Sequence, residues 1–241
     1  MSQPGTERRV EEARNVSGST FIAVACGLLA EARIAARLGG VRAIAGGGDA
    51  GRLAAELERA LGDGAKGVLS FGIAGGLKPE LPTGAVVVAG AVRHGAERYA
   101  ADAAWSDGLR RALPGAIEAD VVGVDAPVTS AIDKLELHQA TGAVACDMES
   151  HVAARVAAKA GVPFAVLRVV ADPGSRALPS AALVGMKKDG ATDAGAVLAK
   201  LVTHPWQLPA LIRVGADSRT AMGVLLGCCR RLGPAAGLGG A

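Results

Sequence analysis

Short apolar runs alternate along the chain with stretches of helical length and composition. Residues 21–26, 41–45, 68–71, 86–89, 117–124, 143–146 and 164–171 read as strands, and 30–38, 50–61, 104–113 and 148–160 as helices. Strand following helix in this way predicts a mostly parallel sheet covered by helices on both faces. No internal repeat or low-complexity linker divides the chain. The pattern therefore implies a single α/β domain with a mixed, mostly parallel central sheet flanked by helices. Its expected bounds are 19–232, with a disordered tail over 1–18, a loop-rich last third and a flexible tail over 233–241.

Composition narrows the picture. Half the residues are hydrophobic but only 2% are aromatic, so Ala, Val, Leu and Ile must build the core. Such residues suit buried parallel strands under Ala-rich helices. Mean hydropathy is +0.32, yet no apolar run approaches the roughly 18 residues a spanning helix needs. The first residues are polar, with Glu7, Glu11 and Glu12 beside arginines, and lack the order of a signal peptide. A cytoplasmic protein is expected. Cys26, Cys146, Cys228 and Cys229 have no metal-binding spacing and read as reduced thiols. A net charge of +3 with one Tyr and three Phe argues against nucleic acid as a partner.

From Lys200 to residue 232 the chain carries Lys200, Arg213, Arg219, Arg230 and Arg231 against the single acid Asp217. Trp206, Leu208, Leu211, Ile212, Val224, Leu225 and Leu226 are interleaved with them. A basic amphipathic segment of this kind can rest on an anionic membrane surface. The simpler alternative is a C-terminal helix packed on the domain with its arginines in water.

Gly46, Gly48 and Gly51 form a GxGxxG run between a strand and a helix, the setting a dinucleotide-binding module needs. The acid that should close the following strand and hold a ribose is missing, because that strand ends in Ser70, Phe71 and Gly72. A dehydrogenase-like module is the weakest of the functional readings for that reason.

Three further segments place polar residues or glycines at the ends of apolar strands, where α/β sheets build sites. They are Gly72-Ile73-Ala74-Gly75-Gly76-Leu77, Asp147-Met148-Glu149-Ser150, and Arg168-Val169-Val170-Ala171-Asp172. Each has an ordinary explanation of its own. The glycines could make a turn, Asp147 and Ser150 could cap a helix, and Asp172 before Pro173-Gly174 could open a turn.

The order GxAGGL, DMES and an apolar strand ending in Asp resembles the purine and uridine phosphorylase family, and within it the methylthioadenosine/S-adenosylhomocysteine nucleosidases. Their runs read GSAGGL, MES or MEA, and SISD. The pieces CGLLAEARIA, SFGIAGGLKPELPTGAVVV and Pro205-Trp206-Gln207-Leu208-Pro209 are similar to hopanoid-associated phosphorylases. That group is thought to remove adenine from adenosylhopane, whose 5′ carbon bears a polycyclic lipid. The resemblance implies cleavage of a purine N-glycosidic bond by a homodimer without a metal or organic cofactor, inorganic phosphate being a possible co-substrate. A soluble methylthioadenosine/S-adenosylhomocysteine nucleosidase is the alternative.

Carried over by position, the resemblance makes Asp172 the acid that protonates purine N7 and Glu31 the residue that orients attacking water. Glu149 would bind the ribose hydroxyls, with Met148 packed on the sugar. Gly72, Ala74 and Gly75 would bring backbone close to the substrate. Two departures stand out. Ser70 and Ile73 occupy positions where bacterial phosphorylases hold phosphate with Arg and Ser, so the acceptor stays open between phosphate and water, with Arg33, Arg42 or Arg93 as substitute anion ligands. Ala131 and Ile132 stand where an aromatic residue normally clamps the base. A C-terminal apolar opening at Trp206, Leu208 and Leu211 would suit a lipid substituent.

Overall fold

The computed structural model describes residues 21–183, 200 and 203–238. The expected N-terminal tail therefore lies outside the described residues. Eight strands form one mixed sheet: β1 (Ile22–Cys26), β2 (Val41–Ala45), β3 (Val68–Gly76), β4 (Val86–His94), β5 (Glu97–Ala100), β6 (Ile117–Gly123), β7 (Ala145–Asp147) and β8 (Phe164–Asp172). The helices are α1 (Leu29–Ala35), α2 (Ala50–Gly62), α3 (Ala103–Ala112), α4 (Ala131–Thr141), α5 (Ser150–Ala160), the short α6 (Ser180–Leu183) and α7 (Leu208–Arg231).

The strand order is β2-β1-β3-β7-β6-β4-β5, with β8 paired to both β3 and β4. The strands β3, β8, β4, β6 and β7 thus close on one another. Pairings β1–β2, β1–β3, β3–β8, β4–β6 and β6–β7 are parallel, and β3–β7, β4–β5 and β4–β8 antiparallel. Alternate side chains feed opposite faces, as the pleat dictates. In β1, Ala23 and Ala25 join one core cluster while Ile22, Val24 and Cys26 join the other.

Three elements differ from expectation. The glycine run Gly72–Gly76 continues strand β3 instead of turning, because β8 pairs alongside it to its end. A register shift between Ala74 and Gly75 sets Gly75 opposite Asp172; such bulges re-aim side chains. The hairpin arm β5 went unread because its Glu97 and Arg98 are charged, as edge strands often are. Helix α4 was also unread, although Ser130 caps it by accepting from the backbone N–H groups of Ile132 and Asp133.

Among the described residues of the last third, Leu208–Arg231 form the long helix α7 where loops were expected. In α7, Ala221, Leu225, Cys228 and Cys229 are buried, the i, i+4, i+7 and i+8 spacing of a helix with one face on a core. Residues beyond it also pack on the domain as far as Leu238. Ala235 and Ala236 are buried, and the Ala236 carbonyl accepts from Trp105 Nε1 at 3.0 Å. The tail expected over 233–241 is anchored there, the rest of it lying outside the described residues. All four cysteines are free and buried. No described helix is long and apolar enough to cross a membrane.

Candidate active site

A cavity of about 230 Å³ opens at the C-terminal ends of β1, β3, β7 and β8. Glu31, Ala74, Gly75, Met148, Glu149 and Asp172 line it, and Val124, Pro127, Val128 and Leu178 supply an apolar wall.

The carboxylate end is assembled around a buried guanidinium. Arg168 sits in β8 with no exposed surface, opposite Gly72 of β3. Its Nη2 donates to Ser70 Oγ at 2.5 Å and Asp147 Oδ1 at 2.9 Å, and lies 3.6 Å from Glu149 Oε2. Asp147 ends β7 and caps the next helix: Oδ1 accepts from the backbone of Glu149 at 2.9 Å and Ser150 at 2.6 Å. Its Oδ2 accepts from Ser150 Oγ at 2.6 Å. The cap fixes the turn that turns Met148 and Glu149 into the cavity.

Glu31, in the first turn of α1, is buried. Oε2 accepts from the backbone of Gly27 and Leu28, and Oε1 from that of Ile73, all at 2.8 Å. These bonds tie the ends of β1 and β3 to one carboxyl group. Burial pushes the Glu31 pKa above the usual carboxylate value, opposed by Arg168 and the three N–H donors. Burial also lifts Glu149 to about 8, with Arg168 opposing and Asp147 and Glu31 adding to the rise. One guanidinium faces three carboxyl groups, and like charges this close resist joint ionisation.

Glycine is required at two places for this packing. A Cβ at Gly72 would lie 2.6 Å from Glu31 Oε1 and 2.7 Å from Arg168 Nη1. At Gly27 it would lie 2.9 Å from Glu149 Oε1. Gly72 does not line the cavity; it makes room for Glu31 and Arg168 beneath it, which corrects the expectation of direct approach to a ligand.

At the opposite end, Asp172 Oδ2 accepts from Lys134 Nζ at 2.5 Å. Lys134 comes from α4, is fully buried, and also donates to the carbonyls of Arg176 at 2.9 Å and Pro173 at 3.4 Å. Burial raises the Asp172 pKa, and the lysine charge pulls against that rise. Cys146 also lines the cavity, but burial, reinforced by Asp172 and Asp147, pushes its thiol up to about 12 and so denies it a thiolate role near neutral pH.

Several expectations move. Ala131 and Ile132 do not line the cavity, and Ile132 is 68% exposed, because Ser130 starts a helix there. The substitute anion ligands are placed elsewhere: Arg42 pairs with Asp63 and Arg93 with Asp120, while Arg33 is exposed on α1. The GxGxxG run is a turn in which Asp49 caps α2 by accepting from Arg52 N at 2.9 Å, and it does not border the cavity. Lys134 was missed altogether, and Arg168 was read only as part of a strand. A lone arginine inside the most apolar strand was the available signal.

The family described as Phosphorylase superfamily matches residues 27–204. No protein of curated function matches the chain. Similar solved structures include S-adenosylhomocysteine nucleosidase from Streptococcus pyogenes in complex with 5-methylthiotubericidin. It is 17% identical over 88% of this chain and 96% of that one, with a TM-score of 0.58. Helicobacter pylori 5′-methylthioadenosine/S-adenosyl homocysteine nucleosidase is 17% identical over 89% and 100%, with a TM-score of 0.61. Futalosine hydrolase of Helicobacter pylori strain 26695 is 19% identical over 64% and 88%, with a TM-score of 0.53. At these identities the likeness is one of fold: a single α/β domain with a mixed sheet flanked by helices.

Proposed function

Since the chain belongs to the phosphorylase superfamily, we propose that it cleaves the N-glycosidic bond of a purine nucleoside and releases the base to water. The observation that carries this reading is that Asp172 at the end of β8, Glu149 at the N-cap of α5 and Glu31 in the first turn of α1 border one cavity. As the C1′–N9 bond breaks, its electron pair moves to the purine and positive charge grows on the ribose. Asp172, its pKa raised by burial, donates a proton to N7, which is general acid catalysis. Adenine suits this group, since its 6-amino group can donate to the same carboxyl. Glu149 accepts from the ribose hydroxyls, and its ionised form, reached as pH rises toward about 8, favours the oxocarbenium ion. Met148 packs on the sugar.

Water is the acceptor in this reading, oriented by Glu31. Among the described residues no lysine or arginine borders the cavity. Lys134 and Arg168, behind its walls, are bonded to Asp172 and Asp147. A phosphate dianion would be repelled by each ionised carboxylate, at about 8 kcal/mol for a separation of 4 Å and an effective dielectric near 20.

The finer proposal concerns the 5′ substituent, taken to be the polycyclic lipid of adenosylhopane. Supporting it are the hopanoid-associated motifs, the apolar cavity wall and the exposed Trp206, Leu208 and Ile212. Gln207 Nε2 donates to Ser180 Oγ at 3.0 Å, which joins this apolar surface to the segment following Leu178. A second reading, methylthioadenosine or S-adenosylhomocysteine as substrate, gains from a cavity of only about 230 Å³, below the usual range of pockets for larger ligands. A homodimer belongs to the proposal, on the family resemblance.

Adenine release from adenosine, methylthioadenosine and a 5′-alkyl adenosine, with and without phosphate, tests these points. Phosphate-independent release with preference for the alkyl compound is expected. Strict phosphate dependence would remove the role given to Glu31. Asp172→Asn should lose activity by about 10²-fold or more; a fully active variant overturns the acid assignment.

A further inference from the structure

Outside the cavity, three side chains that the nucleoside chemistry does not use converge on one another. A ring nitrogen of His94, a ring nitrogen of His151 and a carboxylate oxygen of Asp125 all lie within 4.8 Å of each other. The two imidazoles are stacked, with centroids 4.2 Å apart and planes 11° from parallel. His151 Nε2 is 3.3 Å from Asp125 Oδ1. We propose that His94, His151 and Asp125 bind a divalent transition-metal ion of the Zn²⁺ or Co²⁺ type.

The hydrogen bonding prepares the ligands. His94 Nδ1 lies 3.1 Å from the Gly123 carbonyl. A carbonyl only accepts, so Nδ1 carries the proton and the neutral ring presents a bare Nε2. Histidine ligands of metals are commonly oriented this way, by a bond from the other ring nitrogen to a backbone carbonyl. His151 is buried and its Nδ1 has no hydrogen-bond partner, while its Nε2 faces the exposed Asp125 carboxylate and its ring stacks on His94.

The donor set selects the ion. Two imidazoles and one carboxylate suit Zn²⁺, Co²⁺, Ni²⁺ or Fe²⁺ far better than Mg²⁺ or Ca²⁺, which prefer all-oxygen ligands. Metal–ligand bonds of about 2.0–2.1 Å in tetrahedral geometry put ligand atoms about 3.3 Å apart. Closing on one ion requires the stacked imidazoles to splay, because nearly parallel rings cannot both aim their in-plane lone pairs at it; the half-buried His94 and Asp125, with its side chain 79% exposed, are the members placed to move. Three protein ligands leave a fourth position for water. Bound there, the ion would fasten the segment that follows β6 to α5, and Val124, next to Asp125, is part of the cavity wall.

Titration with Co²⁺ alone, followed by visible d–d absorption and by thermal melting, tests the site without reference to enzymatic activity. One equivalent should bind with the bands of a low-coordinate ion and raise the melting temperature, and excess Zn²⁺ should abolish the bands. His94→Gln, at a half-buried position, and Asp125→Asn, at an exposed one, should weaken binding at least about tenfold while each still melts cooperatively without metal. His204→Gln, on the distant C-terminal segment, should bind as the parent does. Absence of d–d bands at about 1 mM Co²⁺, or equal affinity in His94→Gln, overturns the proposal.

Discussion

Replacing Lys134 by Met gives the sharpest test of how the acid is tuned. Two unit charges at the 2.5 Å separating Lys134 Nζ from Asp172 Oδ2 interact by about 1.7 kcal/mol even at the dielectric of bulk water, and by about 7 kcal/mol at an effective value of 20. One pKa unit corresponds to about 1.4 kcal/mol. The lysine opposes the rise that burial causes, so its loss lets the Asp172 pKa climb further. A general acid works only while protonated, and the rate falls as pH passes its pKa. The alkaline limb of kcat/KM for adenine release should therefore move to higher pH. The low-pH plateau should drop, because a weaker acid transfers its proton less readily. Stability should fall by about 1–3 kcal/mol, since the Arg176 and Pro173 carbonyls lose their buried donor. Lys134→Arg keeps the charge and should hold the limb near its original position. A Met variant that melts cooperatively yet has an unmoved alkaline limb would refute the reasoning.

Gly72→Ala should cost about 2 kcal/mol or more in urea unfolding, and most of the activity, because the new Cβ meets two buried charged groups at 2.6 and 2.7 Å; Gly51→Ala, whose Cβ would meet nothing nearer than 3.6 Å, should leave both unchanged. Glu149→Gln addresses stability against pH. A carboxyl raised from 4.5 to about 8 on folding contributes stability that is complete below pH 4.5 and lost as pH rises through about 8. The glutamine variant lacks this loss, so between about pH 6 and about pH 9 it should gain about 1 kcal/mol or more relative to the parent in denaturant melts. Flotation with anionic liposomes tests the proposed membrane contact: equal recovery of the parent and of a variant lacking the charges of Arg213, Arg219, Arg230 and Arg231 would remove it.

What could be read in advance was what strand ends reveal locally. Asp172, Glu149 and Met148 stood out because each follows an apolar run, and the topology brings those ends together. Gly72 misled, because a glycine in sequence signals freedom of the backbone, whereas here its missing Cβ admits side chains from α1 and β8. Lys134 was illegible for a different reason. Its partner lies 38 residues along the chain, and Ala131–Thr141 mixes apolar and charged residues so evenly that neither a helix nor a buried face stands out. The long α7 was obscured by its glycines and alanines, and only packing on the core selects Ala221, Leu225 and Cys228 as its inner face.

The charges at the two ends of the cavity are arranged in different ratios, and this bears on direction. Asp172 has a cation of its own in Lys134, one to one. Asp147, Glu149 and Glu31 share Arg168, three to one. An N-glycosidic bond polarises toward a negative base and a positive sugar. A purine lying toward Asp172 with its ribose toward Glu149 would place its growing negative charge at the end that supplies a proton and its growing positive charge at the end with surplus carboxylate. The reverse orientation would set the anionic base among carboxyl groups that already compete for one guanidinium. Ser70 completes the argument: being small, and bonded to Arg168 Nη2 at 2.5 Å, it lets the arginine of the neighbouring strand lie buried beneath the site, where it limits the negative charge from behind the cavity wall.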